Sequence, residues 1–334
     1  MSFSTTLLEW FRENRRDLPW RQTRDPYAIW LSEIILQQTQ VKQGWDYWHR
    51  FMRRWPTVDM LAAATEDEVL REWQGLGYYS RARNLHTAAK QIVALGHFPD
   101  TLEEIKKLKG VGDYTAAAIG SIAFNLPAAV VDGNVYRVLA RHFGIDTPIN
   151  STEGKKLFAT LAQSLLPVLD HFSLYNQAIM DFGAIQCTPS SPRCMDCPLQ
   201  ESCVAFREGR IGQLPVKLKT LKVKERHLTY IYIRCNGETA IRRRGAGDIW
   251  QGLWEPWLTD EVPSGAVLLR QNVKHVLTHR ILYADFYLLE IGEKPALPPD
   301  YIWIPESSLS DYAVPRLIEI MLDALPSHTS DKCP

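Results

Sequence analysis

At 334 residues the chain is long enough for about two domains with a sizeable core, which excludes a small disulfide-stapled scaffold. Apolar residues make up 46% and charged residues 23%, as in a globular protein, and no apolar run approaches the roughly 20 residues that cross a bilayer. The 38 basic residues match the 38 acidic ones, so a nucleic-acid surface would have to come from local clustering of charge. Met1-Ser2-Phe3-Ser4 lacks the basic and apolar regions of an export signal, so a reducing cytoplasm is the expected compartment.

In chain order, Asp25-Pro26 before Tyr27 predicts a helix start that places Glu33 on the helix. Helical spacing continues through Leu61, Val69, Leu70 and Trp73, then Leu85, Ala88, Ala89 and Ile92. Leu108-Lys109-Gly110-Val111-Gly112 predicts a tight turn opening onto a helix from Asp113. These segments predict a mainly α domain over 1–206. Arg207 to Arg226 carries seven basic residues against Glu208 and Glu225, with Pro215 and two glycines, and reads as a basic linker over 207–226. Beyond it, Leu228–Arg234 and Ile281–Ile291 are rich in Tyr, Ile and Leu and read as strands, and Tyr312–Leu325 as a closing helix. A smaller α+β domain is expected over 227–326, followed by a disordered tail at 327–334.

Four of the six cysteines, Cys187, Cys194, Cys197 and Cys203, fall within seventeen residues as C-x6-C-x2-C-x5-C. Four thiolates so close together can surround one soft metal centre, and Pro189, Pro192 and Pro198 stiffen the intervening loops; zinc and an iron–sulfur cluster both suit such ligands. Cys235 and Cys333 stand alone and receive no role. The Gly110 and Gly112 turn can expose backbone N–H groups at a helix start, a plausible phosphate site, against the bland reading of a helix connection. Twenty residues on, Val130-Val131-Asp132-Gly133-Asn134-Val135 sets a carboxylate among apolar neighbours, where poor solvation demands a reason for it. Glu33, among Ile29, Trp30, Ile34 and Leu36, is expected to hold its proton unusually well, as a general acid near neutral pH requires.

The order of hairpin, Val-Asp-Gly-Asn-Val and cysteine cluster resembles the endonuclease III superfamily of DNA glycosylases. That resemblance implies a helix-hairpin-helix fold and a [4Fe-4S] cluster on Cys187, Cys194, Cys197 and Cys203. Where lyase members of the superfamily carry a Schiff-base lysine two residues after the second hairpin glycine, this chain has Tyr114, which implies base removal without strand scission. Lys106, Lys107 and Lys109 then read as phosphate contacts. Leu18-Pro19-Trp20-Arg21, the run Trp30 to Val41, and Gly75 to Leu85 resemble the adenine DNA glycosylase branch.

The branch resemblance implies that Glu33 protonates adenine at N7, that Asp132 stabilises the cationic sugar, and that Tyr114 and Asn134 orient these groups. It also implies that Gln38, Thr39, Leu76 and Tyr78 wedge into the stack beside the opposing base. Gly252-Leu253-Trp254-Glu255-Pro256 resembles part of a Nudix-like domain, without the glutamate-rich box of a pyrophosphatase. The family's Phe-Ser-His turn toward 8-oxoguanine corresponds here to Leu277-Thr278-His279, so Thr278 and His279 keep their polar groups while Leu277 lacks an aromatic face. The expected partner is double-stranded DNA with an adenine:8-oxoguanine or adenine:guanine mispair, met by a monomer associated with a bacterial-type nucleoid. A glycosylase for another base and a non-catalytic iron–sulfur DNA-binding protein are the competing readings.

Overall fold

The computed structural model describes residues 2–167, 171–219 and 223–326; the expected tail at 327–334, with Cys333, lies outside the described residues. The chain forms two compact units, Met1–Ala63 with Thr87–Lys219, and Ala64–His86 with Thr220–Pro334. Residues 64–86 thus pack with the C-terminal part, a grouping that linear order does not give.

Helices in the N-terminal part are α1 (Phe3–Asn14), α2 (Pro26–Ile35), α3 (Val41–Arg54), α4 (Val58–Ala63), α5 (Glu66–Glu72) and α6 (Ser80–Leu95). They are followed by α7 (Leu102–Lys107), α8 (Asp113–Phe124), α9 (Gly133–Phe143), α10 (Thr152–Ser164), α11 (Phe172–Asp181) and the single turn α12 (Val204–Arg207). The expected helix start is present: Asp25 caps α2 by accepting from the Tyr27 N–H at 3.0 Å, with Pro26 in the first turn where no N–H is needed. The α9 helix stops at Gly144, whose φ of +69° is left-handed and whose missing Cβ leaves room for the Val204 side chain. Trp10, Val138, Phe158, Tyr175 and Phe182 are buried in the core of this unit.

Part of the expected linker at 207–226 has partners on the helical unit. Leu214 is 2% exposed, the Arg141 guanidinium donates to the carbonyls of Ile211 and Leu214, and Ile149 N–H donates to Val216 O. Residues 211–218 therefore pack onto the helical unit, because their carbonyls and one apolar side chain find partners there. Lys224–Arg226 already belong to a strand.

In the second unit β1 (Lys224–Cys235), β2 (Glu238–Arg243), β3 (Trp254–Glu255), β4 (Trp257–Leu258), β5 (Val267–Val276), β6 (Arg280–Ile291) and β7 (Tyr301–Pro305) form one sheet. Its order is β3-β2-β1-β6-β5, with β4 also on β1 and β7 on β2. The two expected strands are its centre: β1 and β6 run parallel, in register from Lys224 opposite Arg280 to Cys235 opposite Ile291. Alternation divides their side chains, so that Tyr230, Tyr232 and Phe286 join one core with Leu317 and Met321, while Ile231, Ile233 and Leu289 join another. The closing helix, α13 (Arg316–Leu322), is shorter than expected. Pro315 sets its N-terminus and keeps Val314 out of helical backbone, and residues 306–311 form a separate 3-10 segment.

Phe286 is fully buried at the middle of β6. Phe286→Ala is expected to destabilise the second unit by about 3–5 kcal/mol, read as a lowered midpoint in urea unfolding followed by far-ultraviolet circular dichroism.

Candidate active site

In the helical unit α2 packs on α8, and this contact brings the first pair of expected site residues together. Glu33, in the last turn of α2, is 8% exposed. Tyr114, in the first turn of α8, donates its hydroxyl proton to Glu33 Oε2 at 2.8 Å, and Gln37 Nε2 donates to Thr115 Oγ1 at 3.2 Å beside it. The hairpin sets this geometry: Gly110 adopts a left-handed φ of +79° and Gly112 serves as the N-cap residue of α8. A Cβ at Gly112 would meet open space, so backbone at the hairpin is approachable from outside. Lys106, before the turn, pairs with Asp113 at 2.7 Å across it.

Burial pushes the Glu33 carboxyl up to about 7; the Tyr114 hydrogen bond and the Arg21 charge oppose this, and the charge of Asp132 adds to it. The two acids therefore lie close enough to sense each other. Tyr114 senses both, and burial with these charges holds its phenol well above the ordinary range, so it remains a neutral donor.

Asp132 is the N-cap of α9. Its Oδ1 accepts from the N–H groups of Asn134 and Val135 at 2.9 and 2.8 Å, and its Oδ2 from Asn134 Nδ2 at 2.8 Å. Burial nevertheless pushes its carboxyl upward, against these bonds and against Arg137. A Cβ at the adjoining Gly133 would meet open space, so this acid has an approachable side.

Three residues that sequence reading gave no role complete the charge network. Asp181, at the end of α11, is wholly buried and accepts from Arg16 Nε and Nη2 at 2.8 and 2.6 Å and from Arg21 Nη1 and Nη2 at 2.6 and 2.7 Å. The two guanidiniums hold its carboxyl below the usual range in spite of burial. Arg21 in turn reaches Glu33 electrostatically. The signal was available, since Asp181 lies between Met180 and Phe182 as Asp132 lies among valines.

Cys187, Cys194, Cys197 and Cys203 are free thiols that line one cavity with Val138 and Arg141. Arg141 contacts Cys187 Sγ at 3.5 Å and donates to the Thr188 and Pro189 carbonyls at 2.7 and 2.9 Å, fixing the loop's first arm. Among the described residues no group of three or more His, Cys, Asp or Glu side chains converges to hold a single ion. Four thiols lining one cavity are a donor set that an iron–sulfur group takes. Arg137 joins this loop to the acid. Its Nε donates to Cys187 O, and its Nη2 to Gly183 O and Asn134 Oδ1, each at 2.7 Å.

The expected DNA contacts fall in both units. Gln38 and Thr39 follow α2 in the helical unit, Gln38 with a left-handed φ of +57°. In the second unit Leu76, Tyr78, Thr278 and His279 line one cavity of about 520 Å³, and the Tyr78 and Thr278 hydroxyls are hydrogen bonded to each other. Leu76 is buried and Tyr78 is exposed.

Residues 31–164 match the HhH-GPD superfamily of base excision DNA repair proteins, 187–203 the iron-sulfur binding domain of endonuclease III, and 229–324 the NUDIX domain. An adenine DNA glycosylase of Buchnera aphidicola subsp. Baizongia pistaciae is 37% identical over 85% of this chain and 84% of its own. That of Mus musculus is 44% identical over 64% of this chain, which spans 43% of the mouse protein. Among solved structures a thermostable thymine-DNA glycosylase aligns with a TM-score of 0.57 and 32% identity, over 62% of this chain and 95% of that one. Endonuclease III in a non-covalent DNA complex aligns with a TM-score of 0.53 and 23% identity, over 62% and 94%, a likeness of fold. The fit of the thiols and the endonuclease III match together assign the four cysteines to a [4Fe-4S] cluster.

A Cβ at Gly183 would lie 2.6 Å from Asn134 Cβ and 2.8 Å from its carbonyl oxygen. Gly183→Ala is therefore expected to displace Asn134 and the Asp132 it holds, lowering turnover by about 10²-fold while the visible absorption of the cluster persists. Single-turnover kinetics and a spectrum of the same preparation check both halves.

Proposed function

This chain belongs to the adenine DNA glycosylase family, and from that premise we propose that it removes adenine mispaired with 8-oxoguanine or guanine from double-stranded DNA, leaving the strand uncut. The observation that carries this reading is the pairing of acids: Glu33, whose carboxyl burial pushes up to about 7, and Asp132, which three hydrogen bonds and a helix N-terminus keep suited to negative charge.

The chemistry follows from that difference. Adenine inside a duplex is out of reach, so it is flipped out at an unstacking cost of a few kcal/mol. Tyr114 occupies one oxygen of Glu33, which leaves the protonated oxygen to serve adenine N7. Proton transfer lets the bond from N9 to the anomeric carbon break with its electron pair going to the base. Asp132 then faces a cationic sugar, which it stabilises as an ion pair or a transient ester until water adds to the anomeric carbon and loses its proton to the Glu33 carboxylate. Strand scission through an imine needs an amine. Tyr114, held as a neutral phenol, supplies none, which supports a monofunctional enzyme. When bound, the cluster ties four points of the cysteine loop to one centre of iron and sulfide; base removal itself is the work of the side chains above.

The cavity with Tyr78, Thr278 and His279 supports recognition of 8-oxoguanine by the second unit. Pyrophosphate hydrolysis is not supported. Glu255, the acid in Gly252-Leu253-Trp254-Glu255-Pro256, is 1% exposed and engaged by Arg242, Arg244 and Tyr230. Since one polypeptide carries every part, the reading takes the enzyme as a monomer. No helix among the described residues is long and apolar enough to cross a membrane; the compartment proposed is the cytoplasm, with the DNA.

Glu33→Gln is expected to lower base release by about 10²–10⁴-fold with duplex affinity kept; unchanged turnover removes Glu33 from its role. Because Glu33 acts protonated, single-turnover rates are expected to fall as pH rises through about 7. They fall also on the acid side, at a pH raised by the burial of Asp132, which acts ionised. A duplex panel decides the substrate: adenine opposite 8-oxoguanine or guanine should be released faster than thymine opposite guanine or thymine glycol, and nicks should appear only after alkali. The thymine pair is included because of the likeness to a thymine-DNA glycosylase.

A further inference from the structure

We propose that Trp250 is a specificity-determining residue, supplying an aromatic face against the oxidised purine beside the hydrogen-bonding groups of Tyr78, Thr278 and His279. The proposal rests on the reading that this cavity meets 8-oxoguanine.

Three chain segments line the cavity: 76–83, 247–251 and 276–280. On the last of them the polar groups of Thr278 and His279 follow Leu277, which has no flat face. Hydrogen bonds to a base edge leave the base free to tilt unless a planar surface fixes it, and aromatic rings do this for any base. Tyr78 is one such ring, with its hydroxyl engaged by Thr278. Trp250 is the large ring on the middle segment. Its φ of +60° is left-handed, a backbone that a bulky residue adopts only where its surroundings force it, and such positions gather at ligand sites.

The surroundings here do force it. Asp248 is gripped by Arg226, Arg244 and Arg280, at 2.6, 2.6 and 3.3 Å. Arg244 also donates to Ile249 O at 2.9 Å, and Trp250 O accepts from the Leu253 N–H at 3.0 Å. Arg83 donates to Gln251 O at 2.5 Å. These bonds tie the Trp250 loop to the Tyr78 segment through Arg83 and to the Thr278 turn through Arg280. All three walls of the cavity are thereby held in register around one half-buried indole. The ring itself packs partly on the core of Phe286 and Met321, with the Arg244 guanidinium 5.7 Å from its centroid and the His275 ring at 5.9 Å.

The test uses the full-length, cluster-loaded enzyme and single-turnover adenine release from duplexes with 8-oxoguanine or guanine opposite. Trp250→Gly removes the ring and relieves the left-handed backbone. It is expected to reduce the preference for 8-oxoguanine about tenfold, by slowing release opposite 8-oxoguanine more than release opposite guanine, because only the oxidised edge loses its alignment with the hydrogen-bonding groups. Trp250→Phe is expected to keep most of the preference, and Leu277→Phe added to Trp250→Gly to restore part of it. Should Trp250→Gly fail to fold, Trp250→Leu against Trp250→Phe replaces it, with loss expected for leucine alone. Preference kept in the ring-less variant, or equal loss on both duplexes, overturns the role of Trp250 and leaves the reading of the cavity standing. A wild-type enzyme without preference overturns both, and does so before any variant is made.

Discussion

One buried guanidinium, Arg137, holds the Asp132 end of the helical unit together. Its planar fork meets three separate stretches of chain at once: the Cys187 carbonyl at the mouth of the cluster loop, the Gly183 carbonyl beside α11, and the Asn134 amide on its own helix. Asn134 then grips Asp132. A lysine has the charge but not the divergent donors, so this geometry depends on arginine. The approach also requires glycine at 183, because the backbone there touches Asn134. The position of the acid is thus decided by packing that reaches from the cluster loop through one side chain.

Around that fixed point the two acids are differentiated by environment rather than by type. Glu33 has lost water and, among the described residues, gains one side-chain donor, Tyr114, so its proton is held. Asp132 has lost water too, but a helix N-terminus and a side-chain amide return three bonds to it. Asp181, with two guanidiniums, is the third case, an acid driven fully to its anion. Removing one partner from so buried a pair typically costs about 3–5 kcal/mol, which marks the Arg16, Arg21 and Asp181 group as structural support as well as a source of field at Glu33.

Much of this is legible in the sequence. Asp25-Pro26 announced a helix start from capping chemistry alone, and Glu33 followed from counting. The cysteine spacing spoke for a metal centre because four thiols rarely gather without one. Local pattern was silent where tertiary packing decides. Arg137 sits on a helix where its charge reads as an ordinary surface residue, yet it is 9% exposed. The run 207–226 looks like a linker by charge, but the burial of Leu214 and the carbonyl acceptors for Arg141 cannot be read from composition. Apolar periodicity continues through Tyr312 and Val314 and predicts a longer closing helix, where Pro315 overrules it. The cavity of Tyr78, Trp250 and Thr278 brings together residues 200 positions apart, for which periodicity carries no information.

The discontinuous make-up of the second unit has a consequence for biosynthesis. Gln74 hydrogen bonds Glu319, 245 residues later, and Arg243 pairs with Glu66. At about 5–20 residues per second on the ribosome, residues 64–86 wait roughly 10–50 s for these partners to be made. Leu70, fully buried beside Gly252 in the finished unit, is without that cover throughout the interval. Nascent chains of this enzyme therefore expose an apolar stretch early, and the last third of the polypeptide must leave the ribosome before it is hidden.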